Sequence, residues 1–189
     1  MKFFSLFSRL GFSNTYLVGP HGGGDAILVD PGVFDAALLQ AVEANGLYVR
    51  SILITHAHNS HINGIRALRK VYDSQIYAAQ PSVLDFPARR VQDGDRLDLG
   101  EFAVRVIGTP GHSIDSLCFQ VGDLVFTGDS LSAGGTGTTR DGYARGLLLE
   151  SIRRKLLRLG DEVLIFPGHG PPTKVGVEKL YNPLLGEKL

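Results

Sequence analysis

Residues 51–61 have the sequence SILITHAHNSH, which joins an apolar run of strand length to three histidines. A short apolar run rich in branched side chains is typical of a buried strand. His56 and His58 point to the same side of an extended backbone, and the chain must then turn to bring in His61. Because imidazole is the commonest metal ligand among protein side chains, this stretch predicts a metal site directly after a buried strand.

Three more polar motifs follow apolar runs elsewhere in the chain. They are VRVIGTPGHS, which contains His112, LVFTGDS, which contains Asp129, and VLIFPGHG, which contains His169. Strand ends that lie side by side in one sheet would bring these motifs to one edge, where sites are commonly found. Each motif alone is typical of a polar turn, but five of the six histidines follow apolar strands, which favours metal binding. Six ligands exceed one tetrahedral site, so they indicate either two metals that share Asp129 or one metal with spare histidines.

The remaining pattern predicts one layered α/β domain over residues 1–189. Arg9 interrupts the apolar N-terminal run, which we interpret as a first strand rather than a signal peptide. Apolar runs predict strands at 3–7, 15–18, 26–29, 51–54, 75–78, 103–107, 117–121, 123–126 and 163–166. Helical spacing predicts helices at 34–45, 62–72 and 146–159.

Composition excludes several classes of protein. The 189 residues carry 19 basic and 19 acidic side chains, so no basic field is available to attract nucleic acid or anionic lipid. A single cysteine excludes a disulfide scaffold and favours the cytoplasm. No apolar run approaches the roughly 18 residues that a membrane span needs. We therefore expect a small-molecule substrate, without a nucleic-acid or membrane partner, and the sequence does not specify an oligomeric state.

Together the motifs resemble the metallo-β-lactamase superfamily, whose signature is Thr-His-x-His-x-Asp-His, then Pro-Gly-His, Thr-Gly-Asp and a final Pro-Gly-His-Gly. The resemblance covers nearly the whole chain and is strongest to compact glyoxalase II-like hydrolases, with no helical extension expected after His169. It implies a four-layer αββα sandwich with the metal site at one edge. It also implies hydrolysis of a thioester or ester by metal-bound hydroxide.

The resemblance further implies the ligands and the metal. It assigns His56, His58 and His112 to a first site, His61 and His169 to a second, and Asp129 to both as the bridging and catalytic carboxylate. One or two zinc ions are the expected cofactor, and iron is an alternative. Asp30 matches a family position near the ligands, where a carboxylate could accept the N–H of a ligand histidine. Its other interpretation is a turn aspartate before Pro31-Gly32.

Ser60 departs from the signature, which has an aspartate at that position. No acidic residue lies between 56 and 72 to replace it. A neutral hydroxyl is a poor ligand for zinc or iron, so the second site loses one negative charge. Three outcomes follow: weak binding of a second metal, a catalytic role in which Ser60 orients the nucleophile by a hydrogen bond, or an enzyme that works with one metal.

Two other functions fit the same residues. The same fold hosts persulfide dioxygenases, in which two histidines and an aspartate hold one ferrous iron; the matching positions here are His56, His112 and Asp129. A metal-binding protein whose turnover is impaired by Ser60 is the other alternative. The glycine-rich segment 134–140 is interpreted either as a solvated loop or as an anion-binding loop in which Arg140 contacts the substrate.

Overall fold

The computed structural model describes residues 1–9 and 11–185. The chain divides into two compact units, each with a β-sheet and helices. The first unit comprises Met1–Val91 and Asp98–Phe102, and the second comprises Gln92–Leu97 and Ala103–Leu189. The single domain over residues 1–189 stays a prediction.

The first sheet has seven strands in the order β1-β2-β3-β4-β5-β7-β6. The first three pair antiparallel, and β3, β4, β5 and β7 pair parallel. The bounds are β1 Lys2–Ser8, β2 Ser13–Gly19, β3 Gly24–Val29, β4 Leu47–Leu53, β5 Gln75–Ala78, β6 Ser82–Val83 and β7 Phe86–Arg90.

Three helices of the first unit pack on its sheet. They are α1 Ala36–Glu43, α2 Asn59–Ile62 and α3 Ile65–Leu68. The Asp35 carboxylate begins α1 by accepting the backbone N–H of Leu38 at 3.0 Å. Leu38, Ile65 and their apolar neighbours on the helices join a core with side chains of β2, β3, β4 and β5. This packing holds the segment after β4, which carries three of the predicted ligands.

The second sheet has six strands in the order β13-β12-β11-β10-β9-β8. Strand β10 pairs antiparallel with β9 and β11, whereas β11 and β12 pair parallel. The bounds are β8 Arg96–Leu99, β9 Phe102–Gly108, β10 Leu117–Val121, β11 Leu124–Gly128, β12 Leu164–Pro167 and β13 Thr173–Lys174.

The helices of the second unit are α4 Gly142–Ser151, followed by a π-helical segment at Ile152–Leu156, and α5 Val175–Tyr181. The backbone N–H of Leu157 donates to the Ile152 carbonyl at 2.9 Å, which is the i to i+5 pattern of a π-helix. Leu148 and Val175 lie in a buried cluster with Val125 and other apolar side chains. The helices therefore cover an apolar face of their sheet.

The predicted α/β class is confirmed, because the chain forms two sheets with associated helices. Every predicted strand overlaps an observed one, and the N-terminal run forms β1 as expected. Within the described residues, no helix has the length and apolar character that crossing a membrane requires.

Two helix predictions were wrong in detail. The helix predicted at 62–72 is replaced by the two short helices α2 and α3, because the Gly64 N–H donates to the Pro31 carbonyl at 2.8 Å instead of to a carbonyl of the preceding turn. The helix predicted from 146 begins four residues earlier, after the Asp141 cap, since Gly142 and Gly146 weaken the helical pattern. The seven-residue helix α5, which follows His169, was not predicted.

Strands β6, β7, β8 and β13 were missed because they are short or carry charged side chains. Strand β7, for example, contains a proline and two arginines and has no buried residue.

A Gly64→Ala substitution tests the close approach that breaks the helix. A Cβ at this position would lie 2.6 Å from the Pro31 oxygen. We expect the free energy of unfolding to fall by about 1–3 kcal/mol in urea denaturation, because backbone must move to make room. The control is Gly146→Ala in α4, where an added Cβ would have no atom within 4 Å other than its chain neighbours and the backbone of its own helix. It should raise the stability by roughly 0.5–1 kcal/mol. Equal effects of the two substitutions would contradict the close approach.

Candidate metal-binding site

The first unit gathers three histidines just beyond the end of β4. We call Asp30, Thr55, His56, His58 and His61 the first cluster. His56 Nε2 lies 3.0 Å from His58 Nδ1, and the ring centroids of His56 and His61 are 4.2 Å apart. His56 and His61 are buried, whereas His58 is exposed. The structure therefore brings the three neighbouring histidines together as the sequence predicts.

The Asp30 carboxylate fixes the orientation of this cluster. It accepts the Thr55 backbone N–H at 2.8 Å and the Thr55 hydroxyl at 2.6 Å. It also lies 3.0 Å from His61 Nδ1. A carboxylate only accepts hydrogen bonds, so we assign the proton of His61 to Nδ1, which leaves Nε2 as the lone-pair nitrogen. This contact confirms that Asp30 holds a predicted ligand, beyond its position in a turn.

Thr55 extends this hydrogen-bond network from Asp30 to His56. Its hydroxyl proton is donated to Asp30, so its oxygen accepts from His56 Nδ1, which lies 3.1 Å away. The proton of His56 is therefore assigned to Nδ1, and Nε2 becomes the nitrogen suited to bind a metal. Sequence analysis missed Thr55, although its position next to His56 in the motif marked it.

The second unit gathers His112, Asp129 and His169, which we call the second cluster. These residues follow β9, β11 and β12, respectively. His112 Nε2 lies 3.3 Å from Asp129 Oδ2, and His169 Nε2 lies 3.7 Å from Asp129 Oδ1. One carboxylate therefore presents its two oxygens to two imidazoles, which is the arrangement expected of a bridging ligand.

A backbone carbonyl fixes the tautomer of His112. His112 Nδ1 lies 2.7 Å from the Thr138 oxygen, which can only accept, so Nδ1 carries the proton and Nε2 carries the lone pair. Gly137 lets this loop pass close to the second cluster, because a Cβ there would lie 2.0 Å from the Asp129 carbonyl oxygen. The glycine-rich segment thus serves to orient a predicted ligand.

Glu178 anchors that loop from helix α5, a role that sequence analysis did not assign. The carboxylate is 1% exposed and accepts the Gly134 N–H at 3.1 Å and the Thr173 hydroxyl at 2.7 Å. It also accepts the Asn182 side-chain amide at 2.7 Å. Because Lys179 follows Glu178, the sequence does not mark this acid as buried. A buried carboxylate needs several donors, and the three groups above supply them.

Ser60 lies half-buried in α2, between the histidines of the first cluster. Its backbone carbonyl accepts the Ser13 hydroxyl at 2.7 Å. Gly32 packs closely against the same carbonyl, since a Cβ there would lie 2.0 Å from the oxygen. The backbone at position 60 is therefore held firmly, whereas the role of the Ser60 hydroxyl stays a prediction.

Burial raises the pKa of the Tyr16 phenol above its ordinary range. A hydrogen bond with Asn14 opposes this shift, and the negative charge of Asp30 adds to it. The phenol therefore stays protonated at neutral pH, so Tyr16 is unsuited to act as a base.

Both clusters fit a metal ion by chemistry and by spacing. Imidazole nitrogens and a carboxylate are the ligands that zinc and ferrous iron use in proteins. Two ligand atoms on one tetrahedral metal with bonds of roughly 2.0–2.1 Å are separated by about 3.3 Å. The observed separations of 3.0, 3.3 and 3.7 Å lie around this value.

Comparison with known proteins agrees with this chemistry. The profile of the metallo-beta-lactamase superfamily matches residues 8–169. Hydroxyacylglutathione hydrolase GloC of Haemophilus influenzae is 31% identical, with 87% of this chain and 89% of that protein covered. The chain belongs to the metallo-beta-lactamase superfamily, and its fold is that of the family.

Two solved structures support the same assignment. The crystal structure of ETHE1 from Myxococcus xanthus has a TM-score of 0.89 and 33% identity, covering 100% of this chain and 86% of that one. The crystal structure of TTHA1623 in a di-iron-bound form has a TM-score of 0.80 and 31% identity. The match covers 96% of this chain and 100% of that one. Metal binding by relatives of this chain therefore includes iron.

An Asp30→Asn substitution tests the hydrogen-bond network of the first cluster. The amide NH₂ cannot accept, so Thr55 or His61 loses its acceptor in the buried interior. We expect the free energy of unfolding of the metal-free protein to fall by about 2–3 kcal/mol in urea denaturation. In NMR spectra, the ¹⁵N shifts of His61 should show loss of the single Nδ1-protonated tautomer.

The control is Asp73→Asn, because the Asp73 side chain is 89% exposed. It should change the stability by no more than about 0.5 kcal/mol. An Asp30→Asn protein as stable as this control, with His61 still protonated at Nδ1, would show that the network does not set the tautomer.

Proposed function

We propose that the chain is a metal-dependent hydrolase that cleaves a small-molecule thioester or ester. One observation supports this most strongly: His56, His61 and His112 each have Nδ1 held by an oxygen acceptor, so that Nε2 is the ligand nitrogen. Such outer hydrogen bonds are typical of histidines that bind metals. The similarity to a hydroxyacylglutathione hydrolase supports the substrate class.

We further propose two ligand sets that draw on both clusters. The match to the superfamily supports this division: His56, His58, His112 and Asp129 for one metal, and His61, Asp129 and His169 for the other. Zinc is the proposed metal, since it favours nitrogen and carboxylate ligands and needs no redox partner. Iron is the alternative, and the di-iron form of TTHA1623 favours it.

Different residues of the chain have different roles in the proposed hydrolysis. A divalent metal, when bound, lowers the pKa of water to about 7 and polarises the substrate carbonyl. Asp30, Thr55 and the Thr138 carbonyl keep the imidazoles fixed during turnover. Asp129 would be a ligand in both sets, and the Ser60 hydroxyl would orient the attacking water by a hydrogen bond. This is the catalytic role that we assign to Ser60.

Hydrolysis of a neutral acetyl thioester tests the proposed function. We expect the zinc-loaded or iron-loaded protein to release thiol at least about 100-fold faster than the metal-free protein, because metal supplies the nucleophile. Asp129→Asn should remove most of this rate, whereas Asp123→Asn, on the exposed turn between β10 and β11, should retain it.

Absence of hydrolysis with either metal would overturn the proposal. Oxygen consumption by the iron-loaded protein with a persulfide would then support a dioxygenase instead. Stoichiometric metal binding without either reaction would support a metal-binding protein that has lost turnover.

A Ser60→Asp substitution tests whether the missing carboxylate weakens the second ligand set. We expect the ratio of metal to protein after equilibrium dialysis to rise, because the new carboxylate adds charge and a ligand. Ser60→Asn is the matched control, with similar size and no charge. An unchanged ratio in Ser60→Asp would mean that other residues already fill that site.

A further inference from the structure

A groove of about 410 Å³ lies on the second unit beside His112. The turn at 111–114 forms one wall, and Arg140 with the first turns of α4 forms the other. Its size falls within the range of about 300–1,000 Å³ that small-molecule sites occupy. The groove therefore has room for a ligand next to a proposed metal-binding side chain.

Gly111 sets the spacing between the two walls. Its φ of +143° and its close approach to α4 both exclude a side chain, since a Cβ there would lie 2.5 Å from the Ala144 oxygen and from Leu148 Cβ. The Ser113 hydroxyl donates to Asp115 at 2.6 Å and steadies the turn. The groove is thus bounded by a packed turn and a helix, both of which belong to the second unit.

Arg140 gives the groove a positive charge. Its side chain is 90% exposed, and its Nε donates to Asp141 Oδ2 at 3.2 Å. Asp141 is itself fixed, because its other oxygen accepts the Ala144 N–H at 2.8 Å and caps α4. That hydrogen bond, with the contact from Arg140, lowers the pKa of the Asp141 carboxyl. An exposed ion pair of this kind is weak, so the guanidinium can turn its other donors toward an anion.

The other exposed side chains that line the groove are an aromatic ring and an aliphatic chain. Tyr143 is 78% exposed and Ile114 is 85% exposed, one on each wall. Large apolar side chains that face solvent beside a cation and a concave surface are typical of a binding site rather than of a solvated helix face.

We propose that this groove binds a carboxylate joined to a short apolar chain, and that Arg140 selects substrates that carry it. The proposal rests on the proposed function, because His112 joins the groove to the reacting centre. The carboxylate belongs either to the acyl group or to the thiol that leaves, since both flank the carbonyl. Arg140 is a specificity residue and takes no part in the bond-breaking step.

Two pairs of thioesters distinguish these sources. The acetyl thioesters of 3-mercaptopropionate and of propanethiol differ in charge on the thiol side, and the succinyl and butyryl thioesters of propanethiol differ on the acyl side. With the metal-loaded protein, we expect kcat/KM for the charged member of one pair to exceed that of the neutral member by about tenfold.

Arg140→Gln should reduce that preference about fivefold or more, because the charged hydrogen bonds to the carboxylate are lost. The matched control is Arg145→Gln, an exposed arginine of α4 outside the groove, which should change the preference less than about twofold. An equal preference in Arg140→Gln and wild type, or no preference in either pair, would overturn the proposal.

Binding to the metal-free protein separates this proposal from the proposed function. We expect hexanoate to shift the NMR amide signals of Gly111, Ile114 and Tyr143, with a Kd that Arg140→Gln weakens about fivefold. Hexanol should bind more weakly than hexanoate. Binding of this kind without thioester hydrolysis would reject only the proposed function. Hydrolysis without charge preference, together with unshifted amides, would reject only the role of the groove.

Discussion

The Asp30 carboxylate is the constraint on which the first cluster depends. It is buried after β3, in a left-handed backbone conformation with φ of +48°, and accepts three hydrogen bonds. A buried carboxylate is costly unless such donors satisfy it, so its position and theirs are fixed together. Thr55, which donates to Asp30, accepts in turn from His56 Nδ1 and so orients the His56 ring. Two imidazoles are thereby oriented by one acidic side chain before any metal binds.

In the second cluster, the imidazole of His112 is also oriented by a hydrogen-bond acceptor, but the acceptor is a different kind of atom. A backbone oxygen, that of Thr138, takes the place of a carboxylate beside His112. The loop that supplies it is held by Glu178 from α5, so the geometry of a ligand depends on a residue in a distant helix. In both units an oxygen acceptor fixes the proton on Nδ1, so the lone pair lies on Nε2. Small residues such as Gly137 make this possible, because they let backbone pass close to the ligands.

Much of this arrangement could be predicted from the sequence because its signals are local. Apolar runs located the strands, and the motifs after them located the histidines and Asp129. The rest depends on contacts between residues far apart in the chain. The Gly64 break requires Pro31, and the loop anchor requires Glu178, which lies 44 residues from Gly134. Neither contact leaves a periodic pattern in the sequence, so local hydrophobicity could not predict it.

The fixed imidazoles and Asp129 have the chemistry of a metal site. Inductively coupled plasma mass spectrometry of protein purified both with and without air measures whether they bind metal. We expect zinc or iron in stoichiometric amount in the wild-type protein, and its loss when His56 and His112 are both replaced by alanine. Protein that retains no metal under either condition, and takes up none after loading, would show that these residues do not form a metal site.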